Sequence, residues 1–242
     1  MLAMQVDCNL VVYDKGRAVW HTNTAGKGYR DCYLKMQSDG DLVVYSKDGK
    51  HRLWSSGTSV GGHKYYNLVL QPNRNVVIYG PAIFHTNTAA VSSAIKGIAM
   101  AKWATNTEST PISDENPKNI LGTDEILYAE SSLTYGDYML AMQVDCNLVV
   151  YDKGRAVWHT NTAGKGYRDC YLKMQSDGDL VVYSKDGKHR LWSSGTSVGG
   201  HKYYNLVLQP NRNVVIYGPA IFHTNTAAVS SAIKGIAMVT EV

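Results

Sequence analysis

Phenylalanine is nearly missing from this chain, with two residues against seventeen tyrosines and five tryptophans in a total of 242. A core built on phenylalanine is thereby excluded, and most of the large rings keep a polar edge suited to sheet faces that meet water, partners or sugars. Proline is also scarce, at six, whereas glycine reaches 22, a balance that fits many short strands joined by tight turns. No apolar run approaches the 18 or so residues that cross a bilayer. The N-terminus has no basic segment leading into an apolar one, so no signal segment is expected, as in a mature secreted chain. No CxxC pair and no histidine-rich spacing accompanies the four cysteines, which removes the common zinc patterns. No serine or cysteine is set beside a base by a recognisable motif, so the chain does not read as an enzyme and no cofactor is expected.

What is present is enough for two folded domains, because 44% of residues are hydrophobic and only 18% charged. The net charge of +4 is unevenly spread. Residues 1–100 hold eleven Lys/Arg against six Asp/Glu, residues 139–238 hold the same numbers, and residues 101–138 hold two against seven. Two basic blocks therefore flank an acidic connector. No Lys/Arg run is interleaved with an aromatic platform, so nucleic acid is not an expected partner.

Residues 1–100 and 139–238 are identical at an offset of 138. Such identity implies two copies of one structural unit. Inside each copy a shorter pattern recurs: Gln5–Tyr13, Gln37–Tyr45 and Gln71–Tyr79 follow each other at 32 and then 34 residues. Each closes on an aromatic cluster containing Trp20, Trp54 or Phe84, and these three rings are expected to meet near an internal three-fold axis. Period-two alternation places Gln5, Asp7, Asn9, Val11 and Tyr13 on one face of a strand, and Val6, Cys8, Leu10 and Val12 on the core face. An all-β chain follows.

Residues 88–100 are ambiguous between a short helix and an extended tail, and Trp103–Thr107 partly echoes the Trp20 cluster. Residues 119–138 precede only the second copy, with Ile120–Ala129 reading as its opening strands. The first copy then lacks its leading strand, which predicts open sheet edges or a strand borrowed from elsewhere. The expected division is 1–107 for a first domain, 108–118 for an acidic linker, 119–238 for a second domain and 239–242 for a tail.

Four cysteines allow three pairings, but the duplication favours Cys8–Cys32 and Cys146–Cys170. Each loop closure is worth roughly 3–4 kcal/mol. Disulfides point to an oxidising compartment, secreted or vacuolar.

The pattern Gln-x-Asp-x-Asn-x-Val-x-Tyr resembles the mannose-binding signature of the monocot bulb-type lectins. The likeness covers nearly all of 1–107 and 119–238 and includes the cysteine spacing and the Trp-x-x-Asn-Thr cluster. It implies β-prism II domains, each with three four-stranded antiparallel sheets around a pseudo-three-fold axis. It further implies metal-independent binding of mannose-containing glycans or glycoproteins, and homo-oligomers built by C-terminal strand exchange. On that likeness Asp7 and Asn9 engage O2 of mannose, Gln5 O3 and Tyr13 O4, with Val11 beneath C3 and C4.

Two sets match the signature fully: Gln5, Asp7, Asn9, Val11 and Tyr13, and Gln143, Asp145, Asn147, Val149 and Tyr151. Four depart and are weaker or altered candidates. Gln37, Asp39, Asp41, Val43 and Tyr45, like Gln175, Asp177, Asp179, Val181 and Tyr183, replace the asparagine by aspartate. Two carboxylates two residues apart on one face should repel and weaken a neutral-sugar pocket. Gln71, Asn73, Asn75, Val77 and Tyr79, like Gln209, Asn211, Asn213, Val215 and Tyr217, replace the first aspartate by asparagine and lose charge assistance. His21, His85, His159 and His223 read as surface residues, and same-face strand neighbours such as Asp39 and Asp41 do not establish the placement on opposite sides of an anomeric carbon that glycosidase carboxyls need. The alternative to a lectin is a lectin-fold storage or protein-interaction module with altered or lost sugar specificity.

Overall fold

A computed structural model describes residues 1–71, 73–89 and 119–226. The expectations for the 90–100 stretch, the Trp103–Thr107 echo, the acidic linker and the 239–242 tail lie outside the described residues.

The valine- and tyrosine-rich runs fold as short strands separated by glycine-, aspartate- and asparagine-bearing turns. The first copy supplies β1 (Leu2–Met4), β2 (Leu10–Asp14), β3 (Arg17–His21), β4 (Tyr33–Met36), β5 (Leu42–Tyr45), β6 (Arg52–Ser55), β7 (Asn67–Leu70), β8 (Val76–Tyr79) and β9 (Ala82–His85). The leader of the second copy adds β10 (Ile120–Gly122), β11 (Ile126–Tyr128) and β12 (Ser132–Tyr135). Then come β13 (Tyr138–Met142), β14 (Leu148–Asp152), β15 (Arg155–His159), β16 (Tyr171–Met174), β17 (Leu180–Tyr183) and β18 (Arg190–Ser193). The series ends with β19 (Asn205–Leu208), β20 (Val214–Tyr217) and β21 (Ala220–His223).

Among the described residues all strand pairings are antiparallel and make six sheets, in two groups of three, the β-prism II arrangement. Around the second copy the orders are β12-β13-β14-β15, β11-β16-β17-β18 and β10-β19-β20-β9. Around the first they are β1-β2-β3, β4-β5-β6 and β21-β8-β7. The expected four strands per sheet hold for the second prism, and the first has three per sheet among the described residues.

Both third sheets are hybrids. Strand β9 pairs with β20, Phe84 opposite Ile216, and β21 pairs with β8, Phe222 opposite Ile78. The amide of Thr224 donates to Val76 O and that of Thr86 to Val214 O, each at 3.0 Å, extending both exchanged pairings by one step. The expected ring trio is corrected accordingly. Trp20 and Trp54 meet edge-on at 5.7 Å, but the third ring against Trp54 is Phe222, at 6.1 Å. Phe84 packs at 6.1 Å on Trp192, which contacts Trp158 at 5.8 Å. Each prism closes its core with a phenylalanine from the opposite copy.

The leader strands explain why identical residues are buried differently. Strands β10, β11 and β12 each add an edge to one sheet of the second prism and each insert a leucine, Leu121, Leu127 or Leu133, into its core. Leu140, Met142, Leu172, Met174 and Leu206 are consequently sealed, whereas the same residues in the first copy, Leu2, Met4, Leu34, Met36 and Leu68, are half-buried. Leu208 is 0% exposed and its counterpart Leu70 is 39% exposed.

If the exchange holds the two halves together, a chain cut between Lys102 and Trp103 will still elute from a sizing column as one particle under native conditions. Separation of the fragments without denaturant would contradict the hybrid sheets.

Candidate functional site

The candidate motif begins in a turn. Gln5 N–H donates to Asn9 O at 2.8 Å, and Cys8 N–H to Gln5 O at 3.0 Å, closing the hairpin between β1 and β2. Cys8 holds a left-handed backbone at φ 72°. The single extended strand expected over residues 5–13 is therefore corrected to a turn followed by β2. Val6, expected in the core, sits at the turn's tip and is 63% exposed. Cys8, Leu10 and Val12 are buried as expected.

The turn nevertheless delivers the motif side chains to one place. Gln5 Nε2 donates to the Tyr13 hydroxyl at 2.7 Å, and the same bond forms in all six sets, from Gln37–Tyr45 to Gln209–Tyr217. A bulge helps aim the tyrosine. Val12 pairs with Trp20 but Tyr13 with Ala18, so β3 carries one extra residue, Val19, at this point. Val11 forms a buried floor.

The polar ends are fixed by their own contacts. Asp7 Oδ1 accepts the backbone N–H of Asn9 at 3.0 Å, and Oδ2 has no partner among the described residues. Asn9 Oδ1 accepts from Thr22 Oγ1 and from Thr24 N–H, both at 3.2 Å, which turns Nδ2 away as a donor. Thr24 Oγ1 is tied to Cys8 O at 2.6 Å and lies 2.7 Å from Thr22 Oγ1. The second copy repeats this set with Asp145, Asn147, Thr160 and Thr162. These threonines escaped the sequence reading, although a hydroxyl pair recurs in every sub-repeat as Thr22/Thr24, Ser56/Thr58 and Thr86/Thr88. The full-match site thus offers acceptors at Asp7 Oδ2 and Gln5 Oε1 and donors at Asn9 Nδ2 and the Tyr13 hydroxyl, above an apolar floor.

The second set is built otherwise. Asp41 is 2% exposed, and its carboxylate accepts from Arg52 Nη2 at 2.7 Å, Ser55 Oγ at 2.7 and 2.9 Å, Ser56 Oγ at 2.9 Å and Gly57 N–H at 3.0 Å. The expected repulsion between Asp39 and Asp41 is corrected, because Arg52 and Ser55, which replace Ala18 and His21 of the first set, neutralise and cage the charge. Burial alone raises the Asp41 pKa, but the bonds from Ser55, Ser56 and Thr58 and the Arg52 charge outweigh it and hold the group below 3.8. Asp39 Oδ2 is occupied by Ser59 Oγ at 2.8 Å. Asp179 and Asp177 repeat both arrangements, with Arg190, Ser193 and Ser197 as partners.

The third sets meet each other. Val77, Tyr79, Val215, Tyr217 and Val207 form one buried cluster between the prisms, with both tyrosines at most 5% exposed. Burial pushes each hydroxyl up to about 12, against the opposing effect of the Gln71 or Gln209 bond. The asparagine clamps cross copies here too: Thr224 donates to Asn75 Oδ1 at 3.2 Å and Thr86 to Asn213 Oδ1 at 3.1 Å.

Cys8–Cys32 and Cys146–Cys170 are both bonded, with Cα atoms 5.0 Å apart, and pin the turn to the loop that follows the sheet. His21, His85, His159 and His223 are exposed at strand ends. Among the described residues no cluster of three or more metal-ligating side chains occurs.

Asp41→Ala should cost about 2 kcal/mol at neutral pH, because it leaves the Ser55, Ser56 and Gly57 donors without their acceptor and breaks the Arg52 pair. The folded-state pKa is depressed, so the contribution is complete above the ordinary aspartate value and fades as pH falls through the lower folded one. Urea midpoints of wild type and variant should therefore differ at pH 7 and converge in strong acid. A gap that widens in acid would contradict the cage.

No family model matches the chain. The mannose-specific lectin CEA of Colocasia esculenta is 36% identical over 239 residues, 99% of this chain and 81% of that protein. Mannose-specific lectin 3 of Crocus vernus is 32% identical over 224 residues, covering 91% and 88%. Among solved structures, the fetuin-binding two-domain lectin of Scilla campanulata superposes with a TM-score of 0.74 at 35% identity, covering 92% of this chain and 87% of that one. The duplicated prisms and likeness along nearly the whole length lead to one conclusion: the chain belongs to the monocot mannose-specific lectin family.

Proposed function

We propose that the chain is a non-catalytic lectin that binds terminal mannose or high-mannose glycans, without a metal, at the two full-match sites. The observation that carries this reading is the clamped asparagine. Asn9 and Asn147 each have the amide oxygen held by a threonine pair, so Nδ2 is left to donate to a sugar hydroxyl beside a free oxygen of Asp7 or Asp145. Neighbouring hydroxyls of a pyranose need such an adjacent donor and acceptor. The other motif sets have lesser roles in this reading. In the second sets the corresponding oxygens are consumed by serine and arginine, which supports weak or altered binding there. In the third sets the tyrosines are buried between the prisms, which supports an assembly role in place of a sugar site.

A net gain of about 0.5–1.5 kcal/mol per hydrogen bond puts a single shallow site near the millimolar scale. Useful avidity then comes from several sites at once. Strand exchange between chains is the proposed route to higher oligomers, supported by the exchange within this chain. Two disulfides support a secreted or vacuolar location.

Replacing both Asn9 and Asn147 by aspartate removes the donor and sets a carboxylate with no arginine partner beside Asp7 or Asp145, since Ala18 and Ala156 stand where the second sets have arginine. Binding of methyl α-mannoside, measured by calorimetry, should fall at least about ten-fold, the equivalent of 1.4 kcal/mol. Unchanged titration curves would reject the assignment.

A further inference from the structure

A cleft of about 630 Å³ opens beside the full-match site of the second copy, between its turn and the loop that leads to the next sheet. Gln143 and Asp145 line one side, and Gly164, Gly166, Tyr167 and Arg168 the other. Pockets of roughly 300–1,000 Å³ hold drug-sized ligands, so this one has room for more than one sugar ring.

The far wall is fixed and positively charged. Asp169 N–H donates to Val144 O at 3.0 Å, and Cys170 is bonded to Cys146 of the turn, so both ends of the contact are tied to the motif. Tyr167 is half-buried, with its ring 5.3 Å from His189. Asp169 is already paired with Lys185 Nζ at 3.0 Å, and Lys165 Nζ donates to Leu191 O at 3.4 Å. Arg168 is exposed and no acid pairs with it among the described residues. The first copy holds the same arrangement, with Asp31 on Lys47 and Arg30 exposed without an acid partner.

The cleft is thus lined by charges of both signs, Asp145 on the turn and Arg168 on the facing loop. A simple anion would be repelled by Asp145, and a neutral monosaccharide would leave Arg168 unused. We propose that Arg168, and Arg30 in the first copy, form a subsite for an acidic group carried by the sugar next to the one held by the motif: a carboxylate, sulfate or phosphate on a mannose-linked residue. The basic excess of each copy, eleven Lys/Arg against six Asp/Glu, adds a favourable field for such a ligand. Tyr167 offers a ring for the second pyranose to rest on, and the fixed loop avoids an ordering cost on binding.

This inference rests on the mannose reading of the motif, and calorimetry can separate the two. The probes are methyl α-mannoside, a neutral mannose-containing disaccharide, and the same disaccharide carrying a carboxylate, a sulfate or a phosphate on the second ring. Wild type at low salt should prefer one or more acidic probes over the neutral disaccharide by about five-fold, the scale of one exposed charge pair. High salt should shrink the preference. The double variant Arg30→Gln with Arg168→Gln should abolish it and leave methyl α-mannoside binding unchanged. Equal binding of acidic and neutral probes by wild type, or a preference that survives in the double variant, overturns the subsite. Arginine-dependent binding of an acidic probe with no binding of methyl α-mannoside would uphold the subsite and overturn the mannose reading, and binding of no probe would overturn both.

Discussion

The pairing of β9 with β20 and of β21 with β8 is the constraint from which the rest of the molecule follows. An antiparallel ladder of four residues is modest in itself, but here each ladder carries a phenylalanine into the opposite core, against Trp192 or Trp54. Neither prism can complete its ring trio from its own copy while the exchange stands. The hybrid sheets also bring the two third motif sets face to face, so that Val77, Tyr79, Val215 and Tyr217 become a shared core. A pattern that would lie on an outer sheet face in an isolated prism is converted into the interface of a two-prism body.

Because 100 residues occur twice without a difference, contrasts between the copies isolate the effect of context. Leu208 is sealed and Leu70 is not, although every neighbour within their own copies is the same. The cause is the 119–135 segment, which gives one strand and one leucine to each sheet of the second prism. Burial here is a property of the assembled sheets, and a hydrophobic residue at a core position in the local pattern reaches full burial only when the edge beside it is covered. At about 25 cal/mol per Å² of apolar surface, completing three edges changes the stability of a prism far more than any single surface contact does.

Much of this was legible in the residues. The Leu-Val-Val-Tyr runs gave strands, and the repeat gave equivalent sheets and the correct cysteine pairs. The turn at Gln5–Asn9 was missed because alternating polar and apolar residues suit both an extended strand and a hairpin whose left-handed residue is not glycine, here Cys8. The caging of Asp41 was missed because Arg52 and Ser55 lie 11 and 14 residues away, and only the register of β5 on β6 brings them together. The direction of the exchange had no local signature. Phe84 and Phe222 occupy identical sequences, so nothing in the local pattern says which core each will enter.

The six motif sets share one bond, from glutamine amide to tyrosine hydroxyl, and differ in what surrounds it. That bond sits at the base of the turn, bridging its first residue to the end of the strand, and so it belongs to the scaffold whether or not a ligand is bound. What differs is the residue that follows the left-handed residue of the turn, Asn9 after Cys8, Asp41 after Gly40 and Asn75 after Arg74. As asparagine clamped by two threonines it presents a donor outward; as aspartate it draws in arginine and serine and turns inward. One change of an amide to a carboxylate, with its partners on the next strand, thus separates the Asn9 turn, whose Nδ2 stays free to donate, from the caged carboxylate of Asp41. The two full-match motif sets belong to prisms locked by exchanged strands, so their separation is set by the fold rather than by a connector. In the proposed reading, a glycan surface that matches this separation gains from the second contact without the entropic cost of restraining a loose linker.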